Sequence, residues 1–174
     1  DVERSRGLGD VYKRQMYAIH SASVLYKDKA WLFSGHSGAG KSTHTNMWKE
    51  LFNTPVINGD LNLIDINTTD GIPVVIGIPW CGTSGIYTSR SYPLGGITFI
   101  KKDITDQVRR IDGDDAVLSI AQRMISPCWN TRLLENNLAA SEKIAAGITV
   151  FRLCCTKNPS SAFLMKEEID NEYH

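Results

Sequence analysis

The segment GHSGAGKS, residues 35–42, constrains this chain more than any other feature of its sequence. It fits the pattern G-x-x-x-x-G-K-[ST], in which glycines let successive backbone N–H groups curl round a phosphate. The apolar residues 30–33 before it predict a buried strand, and residues 43–52 after it predict a helix with one apolar side. A strand, a glycine-rich loop and a helix in this order predict a loop that binds the phosphates of a nucleotide.

The residue types in this loop indicate separate roles. Lys41 is expected to reach the β- and γ-phosphates of ATP, and the Ser42 hydroxyl is expected to bind Mg²⁺. The positive end of the helix dipole adds to the attraction for the anion. The expected nucleotide-binding set is Gly35, His36, Ser37, Gly38, Ala39, Gly40, Lys41, Ser42 and Thr43. The alternative, a glycine-rich turn with an unrelated lysine, is disfavoured by the flanking strand and helix.

The composition disfavours several classes of protein. With 174 residues the chain is long enough for one domain with a hydrophobic core, and its 19 basic and 19 acidic residues cancel. That balance argues against nucleic acid or a membrane surface as the main partner. No apolar stretch is long enough for a transmembrane helix. The four cysteines form no C-x-x-C pair, which disfavours a zinc site or a disulfide framework and fits a cytoplasmic protein.

Residues 1–15, DVERSRGLGDVYKRQ, do not continue the pattern of the rest of the chain. They lack helical or strand periodicity and resemble a translated sequencing-adaptor scar that recurs in reading frames assembled from environmental DNA. We therefore expect residues 1–15 to be non-native and disordered, residues 16–174 to form a single domain, and native sequence to be missing before Met16. The alternative is an ordinary flexible basic tail.

The other segments predict an α/β domain whose mixed sheet is rich in antiparallel hairpins, with a turn at residues 27–29. Apolar patterns predict strands at residues 16–26, 30–33, 56–57, 61–66, 72–78, 97–100 and 148–155. Helical spacing predicts further helices at residues 114–124 and 131–146 and from 158–159 to 169. Residues 79–94, rich in Gly, Ser, Thr, Tyr and Pro, predict a long loop.

Four segments together carry a resemblance to a known family. They are SGHSGAGKSTHT (34–45), VINGDLNLI (56–64), GIPWCGTSGIY (77–87) and YPLGGITFIKK (92–102). Over residues 16–157 the chain resembles HPr kinase/phosphorylase, more distantly the phosphoenolpyruvate carboxykinase-like nucleotide-binding fold, and especially uncharacterised bacterial proteins of this group. The resemblance implies a P-loop kinase-like domain of that fold, ATP and Mg²⁺ as cofactors, and a homo-oligomer.

The resemblance also implies catalytic residues. In HPr kinase a histidine before the loop and two aspartates after the loop helix act together. His20 matches the histidine, as base or proton relay, and Asp60 matches the second aspartate, as a metal ligand together with Ser42. Gly59 stands where the first aspartate would be, so the usual base is absent. That departure implies a phosphoryl acceptor other than the phosphocarrier protein.

Other interpretations of these residues stay open on the sequence alone. Asn58-Gly59 also favours a type I′ hairpin turn that Asp60 merely flanks, and His20 equally suits a hydrogen-bonded histidine facing the sheet. Arg90 is the nearest arginine for neutralising transition-state charge, or else an exposed surface residue. His36 is expected to be an exposed loop side chain that can touch a phosphate, and His44 is expected to be structural or solvated.

The sequence thus predicts an ATP-binding phosphotransferase that moves the γ-phosphoryl group to a hydroxyl of an unidentified small molecule or peptide. Its expected catalytic residues are Lys41, His20, Asp60 and Arg90. The absent first aspartate favours an alternative, a nucleotide-binding regulatory module with little turnover. A carboxykinase-type lyase is disfavoured because that chemistry needs a second metal site with more histidine and arginine ligands.

Overall fold

A β-hairpin leads into the glycine-rich loop, residues 35–40. In the computed structural model, which describes residues 16–125 and 129–173, β1 spans Met16–Tyr26 and β2 spans Lys29–Ser34. The two strands pair antiparallel with Tyr26 opposite Lys29. The two residues between them have φ angles of 50° and 59°, the left-handed conformation that a two-residue type I′ turn requires. The predicted turn is therefore present. The expectation of a non-native segment at residues 1–15 lies outside the described residues.

The sheet is mixed, as predicted. Its other strands are β3 (Val56–Asn58), β4 (Leu61–Asp65), β5 (Val74–Ile76), β6 (Ser91–Lys102), β7 (Gln107–Arg110) and β8 (Thr149–Cys155). Within the described residues the strand order is β2-β1-β4-β5-β6-β8-β7, β3 pairs with β1, and β2 also pairs with β6. The long strand β6 pairs antiparallel with β5 near its start and parallel with β2 and β8 further on. The carboxyl ends of β2, β6 and β8 therefore meet at one edge.

Helices cover both faces of this sheet. They are α1 (Lys41–Phe52), α2 (Gly113–Ala121), α3 (Thr131–Gly147) and α4 (Ser160–Asn171). Trp48 of α1 and Met165 of α4 belong to one buried cluster with Phe33 of β2. Ile120 of α2 and Ile144 of α3 belong to the other cluster, and these side chains are fully buried. Alternate residues of β2 thus serve opposite faces, as the period of two in a strand requires.

The structure corrects two of the predicted elements and adds a strand that was not predicted. The predicted loop 79–94 ends earlier, because β6 begins at Ser91 and pairs with β5. The predicted strand 72–78 is limited to the three residues of β5. β7 was not predicted, because Gln107–Arg110 carries only one apolar residue. The segment forms a strand because it pairs with β8. No helix in the described part of the chain has the length and apolar character needed to cross a membrane.

Candidate functional site

The loop between β2 and α1 depends on glycine at both of its ends. A Cβ atom on Gly35 would lie 2.8 Å from the Ile100 carbonyl oxygen of β6, so a side chain does not fit there. Gly40 precedes α1 with a φ of 109°, which L-residues with side chains rarely adopt. Within the loop the Ala39 N–H donates to the His36 carbonyl at 3.0 Å. The glycines therefore fix a compact loop directly before the amino end of the helix.

Lys41 is a buried cation over this loop. Its side chain is only 8% exposed, and Nζ lies 3.5 Å from the carbonyl oxygens of Gly35 and His36. Burial lowers the pKa of Lys41, and nearby Arg123 lowers it further, while the carboxylate of Asp60 acts in the opposite direction. Among the described residues Lys41 has no acidic partner within ion-pair distance. A phosphate would supply the missing negative charge.

A cleft of about 600 Å³ opens beside the loop, and we call it the loop cleft. Residues 37–43 form one wall, while His20 and Asp60 face them. Much of the remaining lining comes from the carboxyl ends of β6 and β8, where Lys102, Asp103, Cys155, Thr156 and Lys157 lie. Ligands commonly bind at the carboxyl ends of parallel strands, because the loops that follow are free to form a crevice there.

His20 and Asp60 are joined across neighbouring strands. His20 Nε2 lies 3.1 Å from Asp60 Oδ1, and both side chains are partly exposed, at 38% and 46%. The contact follows from the pairing of β1 with β4, in which His20 stands opposite Leu61, and the Ser21 N–H donates to the Asp60 carbonyl at 3.0 Å. The structure thus brings together two of the residues that the sequence had placed in one catalytic set.

The segment before Asp60 is not a hairpin turn. β3 and β4 both pair with β1 and not with each other. The Asn58 side-chain oxygen accepts hydrogen bonds from the N–H groups of Asp60 and Leu61, at 2.9 and 3.1 Å. Its side-chain nitrogen donates to the carbonyls of Ile78 and Trp80. The alternative interpretation of an Asn-Gly hairpin is therefore wrong, because the buried Asn58 bridges two segments instead.

The predicted long loop packs directly on this segment. A 3₁₀ turn over Gly82–Ser84 approaches so closely that a Cβ atom on Gly59 would lie 2.1 Å from Ser84 Oγ. A Cβ atom on Gly82 would lie 2.9 Å from the carboxyl carbon of Asp60. Asp60, Ser42, Cys81, Ser84 and Ile86 help to line a smaller cleft of about 290 Å³, which we call the side cleft. Asp60 and Ser42 therefore line both clefts.

Two predicted site residues, Arg90 and His36, lie elsewhere or are engaged otherwise, and His44 was expected to be structural or solvated. Arg90 is exposed and, among the described residues, is not part of the lining of the loop cleft or the side cleft. His36 is exposed in the loop, and its ring nitrogens lie 2.9 and 3.2 Å from Arg123 Nη2. His44 is 1% exposed, packs edge-on against Phe33 at 4.7 Å, and burial lowers its pKa to about 4. His44 is therefore structural, which is one of the two roles expected from the sequence.

Arg123 also lies beside the loop, which the sequence did not predict. It follows α2, and its carbonyl accepts the His20 N–H at 3.1 Å. The Ile125 N–H donates to the Ala18 carbonyl at 2.8 Å, which fixes the same segment against β1. The positive charge of Arg123 lowers the pKa of Lys41, and the guanidinium group of Arg123 contacts the ring of His36. No local motif marks Arg123, because its place depends on how α2 docks on β1.

Comparison with solved structures finds likenesses in fold, one of which is described here. No protein-family model matches the sequence, and no curated protein matches it. The structure of the Hpr(Ser) kinase/phosphatase from Coxiella burnetii is similar in backbone, with a TM-score of 0.43 and 10% sequence identity. The likeness covers 90% of this chain and 99% of that chain. Similarity at this level assigns neither an activity nor a site residue to the present chain.

Proposed function

We propose that this chain is a P-loop phosphotransferase that uses Mg·ATP to phosphorylate a hydroxyl group of a small molecule or peptide. One observation carries the proposal: the buried Lys41 ammonium, the Ser42 hydroxyl, and the His20–Asp60 pair all line the loop cleft. Phosphoryl transfer needs little covalent chemistry from the protein, so such positioning and charge are its main requirements. ATP use is in keeping with the expected cytoplasmic location.

The triphosphate of ATP is assigned to the wall formed by residues 37–43. There the loop and the start of α1 present N–H groups. Lys41 lies in the same wall and, within residues 16–125 and 129–173, forms no ion pair. The nucleoside is assigned to the far end of the loop cleft, between Met47 and residues 155–157. The free volume of about 600 Å³ is in the range of nucleotide-sized ligand sites.

The residues present also fit Mg²⁺. The ion takes oxygen ligands and keeps several waters, so it needs only one or two protein groups beside the phosphates. Asp60 offers a partly exposed carboxylate, and Ser42, exposed at the start of α1, offers a hydroxyl, both in the same cleft. When bound, Mg²⁺ would neutralise charge on the phosphate oxygens. Asp60 and Ser42 are the residues that would hold it.

The acceptor is assigned to the side cleft, where the Gly82–Ser84 turn faces Asp60. The acceptor oxygen forms a bond to the γ-phosphorus, the bond from that phosphorus to the bridging oxygen breaks, and ADP leaves. The hydroxyl proton passes to the His20–Asp60 pair, whose hydrogen bond holds the imidazole in place. Lys41 stabilises the charge on the transferred group.

Gly59 favours a second candidate, a nucleotide-binding regulatory module with little turnover. Ser84 lies where a side chain at position 59 would be, so a carboxylate cannot be accommodated there without moving the turn. The two candidates share the nucleotide site and differ in the rate of ADP release. Sustained ADP release that Asp60→Ala abolishes would exclude the regulatory module.

Titration of Mg·ATP against the wild type, Lys41→Ala and Lys49→Ala tests the nucleotide site. Lys49 is the matched control, an exposed lysine in the last turn of the same helix. We expect Lys41→Ala to weaken binding by about tenfold or more, because a charge-assisted contact to phosphate is lost. Lys49→Ala should bind like the wild type. Equal affinity in all three proteins would overturn the proposal.

A further inference from the structure

His44 lines the loop cleft with a ring that is almost completely buried. The residue is only 1% exposed, and neither Nδ1 nor Nε2 has a hydrogen-bond partner among the described residues. A neutral imidazole offers one donor and one acceptor. Buried polar groups are nearly always hydrogen-bonded, because leaving one unpaired costs free energy. A ligand in the loop cleft would supply the partner that this ring lacks within residues 16–125 and 129–173.

The packing of His44 explains why position 44 is buried but not why it holds a histidine. Its ring meets the ring of Phe33 edge-on, with the two centroids 4.7 Å apart. Phe33 belongs to an apolar cluster that includes Trp48, which lies on the same helix as His44. An apolar side chain would fill this space without burying two polar nitrogens. Where a sequence breaks a local rule of this kind, the reason is commonly a functional site.

His44 stands between the two parts of the loop cleft that we assign to the triphosphate and to the nucleoside. It directly follows residues 37–43, and Met47 at the nucleoside end lies three residues further along α1. Residues three apart on a helix share a face. Met47, Ile100 and Cys155 add apolar surface to the lining, which suits a planar base better than a hydrated phosphate. The position of His44 therefore favours contact with the base.

We propose that a ring nitrogen of His44 forms a hydrogen bond with the base of the bound nucleotide, which makes His44 a base-recognition residue. The inference rests on the proposed function, because it concerns the same nucleotide. The edges of bases carry both hydrogen-bond donors and acceptors, so a ring nitrogen finds a match there whether or not it carries the proton. Phosphate oxygens of a fully ionised triphosphate only accept, so they match only the protonated nitrogen. His44 thus adds selectivity for a nucleoside to a site whose phosphate contacts come from the loop and Lys41.

Calorimetric titration of the full chain with Mg·ATP and with magnesium tripolyphosphate tests this role, because tripolyphosphate has the phosphates but no nucleoside. We expect His44→Leu to weaken ATP binding by about fivefold or more, since a base atom loses its partner. Its affinity for tripolyphosphate should stay within about twofold of the wild type. His44→Gln keeps a donor and an acceptor and should recover part of the ATP affinity. Lys49→Ala, at an exposed residue of the same helix, should bind both ligands like the wild type.

Two results would overturn the inference. One is that His44→Leu binds ATP as tightly as the wild type, and the other is that it loses ATP and tripolyphosphate in equal proportion, as a disturbed loop would.

Dideoxy-ATP, which lacks both ribose hydroxyls, separates the base from the ribose. The loss caused by His44→Leu should persist with this ligand, and its disappearance would assign the contact to the ribose and contradict the inference. Circular dichroism shows whether each variant is folded, and His44→Met, with a flexible apolar side chain, provides the same test if His44→Leu is not. A wild type that fails to bind Mg·ATP would refute the proposed function as well, whereas equal ATP affinity of the wild type and His44→Leu refutes this inference alone.

Discussion

His20 Nε2 and Asp60 Oδ1 lie 3.1 Å apart although 40 residues separate them in the chain. The contact is set by the register of β1 against β4, and Arg123 fixes the same stretch of β1 from the other side through its carbonyl. The pair lies in the wall of the loop cleft that faces Lys41 and Ser42. The imidazole that we propose as proton acceptor and the carboxylate that we propose as metal ligand are therefore held together by backbone pairing rather than by a mobile loop.

Replacing Asp60 with Asn should reduce turnover much more than nucleotide binding. The change removes the carboxylate that we assign to Mg²⁺ and to the His20 contact, and its partly exposed position makes a loss of folding unexpected. We expect roughly a hundredfold slower ADP release, the usual size for one group that stabilises a transition state. Steady-state assays over a range of Mg²⁺ concentrations measure it. Asp114→Asn, at an exposed residue of α2, is the control, and equal rates for both variants would contradict the assignment.

Replacing Arg90 with Gln should leave nucleotide affinity and turnover within about twofold of the wild type, the range of a neutral surface change. Arg90 is exposed and does not line the loop cleft. The matched change Arg123→Gln removes a charge that acts on Lys41, so it should alter the KM for ATP or kcat. Steady-state kinetics of both variants under the same conditions give the KM for ATP and the kcat of each. A large loss from Arg90→Gln alone would show that the turn before β6 closes on the site.

Gly59→Ala should destabilise the fold, and Ser84→Gly should restore it. The added methyl group would meet Ser84 Oγ at 2.1 Å and Ser84 Cβ at 2.6 Å. Overpacking of this kind typically costs about 1–3 kcal/mol. Removing the Ser84 side chain takes away both contacts, so the double variant should be more stable than the two single effects predict. Chemical denaturation of the four proteins gives this coupling, and strict additivity would show that the turn moves aside freely.

The free energy of unfolding should fall as the pH decreases from about 6.5 towards 4, in part because of His44. Burial lowers the pKa of this residue to about 4, while the unfolded chain has the ordinary value. The unfolded state therefore binds more protons in this window, and protonation favours unfolding. The shift corresponds to roughly 3 kcal/mol when complete.

Denaturation curves at neutral pH and at pH 5 test the role of His44. His44→Leu removes the titrating group from its site against Phe33 and should reduce the dependence on pH. His36→Gln, at an exposed loop position, should keep the slope of the wild type. A His44→Leu protein with an unchanged slope would mean that other groups cause the pH dependence.

Part of this molecule is determined over short distances in the chain. The glycines of residues 35–40 specify the conformation of the loop before α1 because few other residues adopt its backbone angles or fit beneath β6. The turn at Lys27-Asp28 and the start of α3, where the Asn130 side chain accepts the Leu133 N–H, follow from equally local hydrogen bonds and dihedral angles. These elements are found where the sequence predicts them.

Interactions between distant segments decide the rest. β7 is a strand because β8 offers it a partner, and Asn58 bridges two segments because Ile78 and Trp80 come within reach. Only strand register brings His20 to Asp60, and only the docking of α2 on β1 brings Arg123 to the loop. The sequence alone therefore determined the glycine-rich loop before α1, because the geometry of that loop depends on neighbouring residues. The tertiary structure decided which charges surround it, because those side chains meet only when the sheet is assembled.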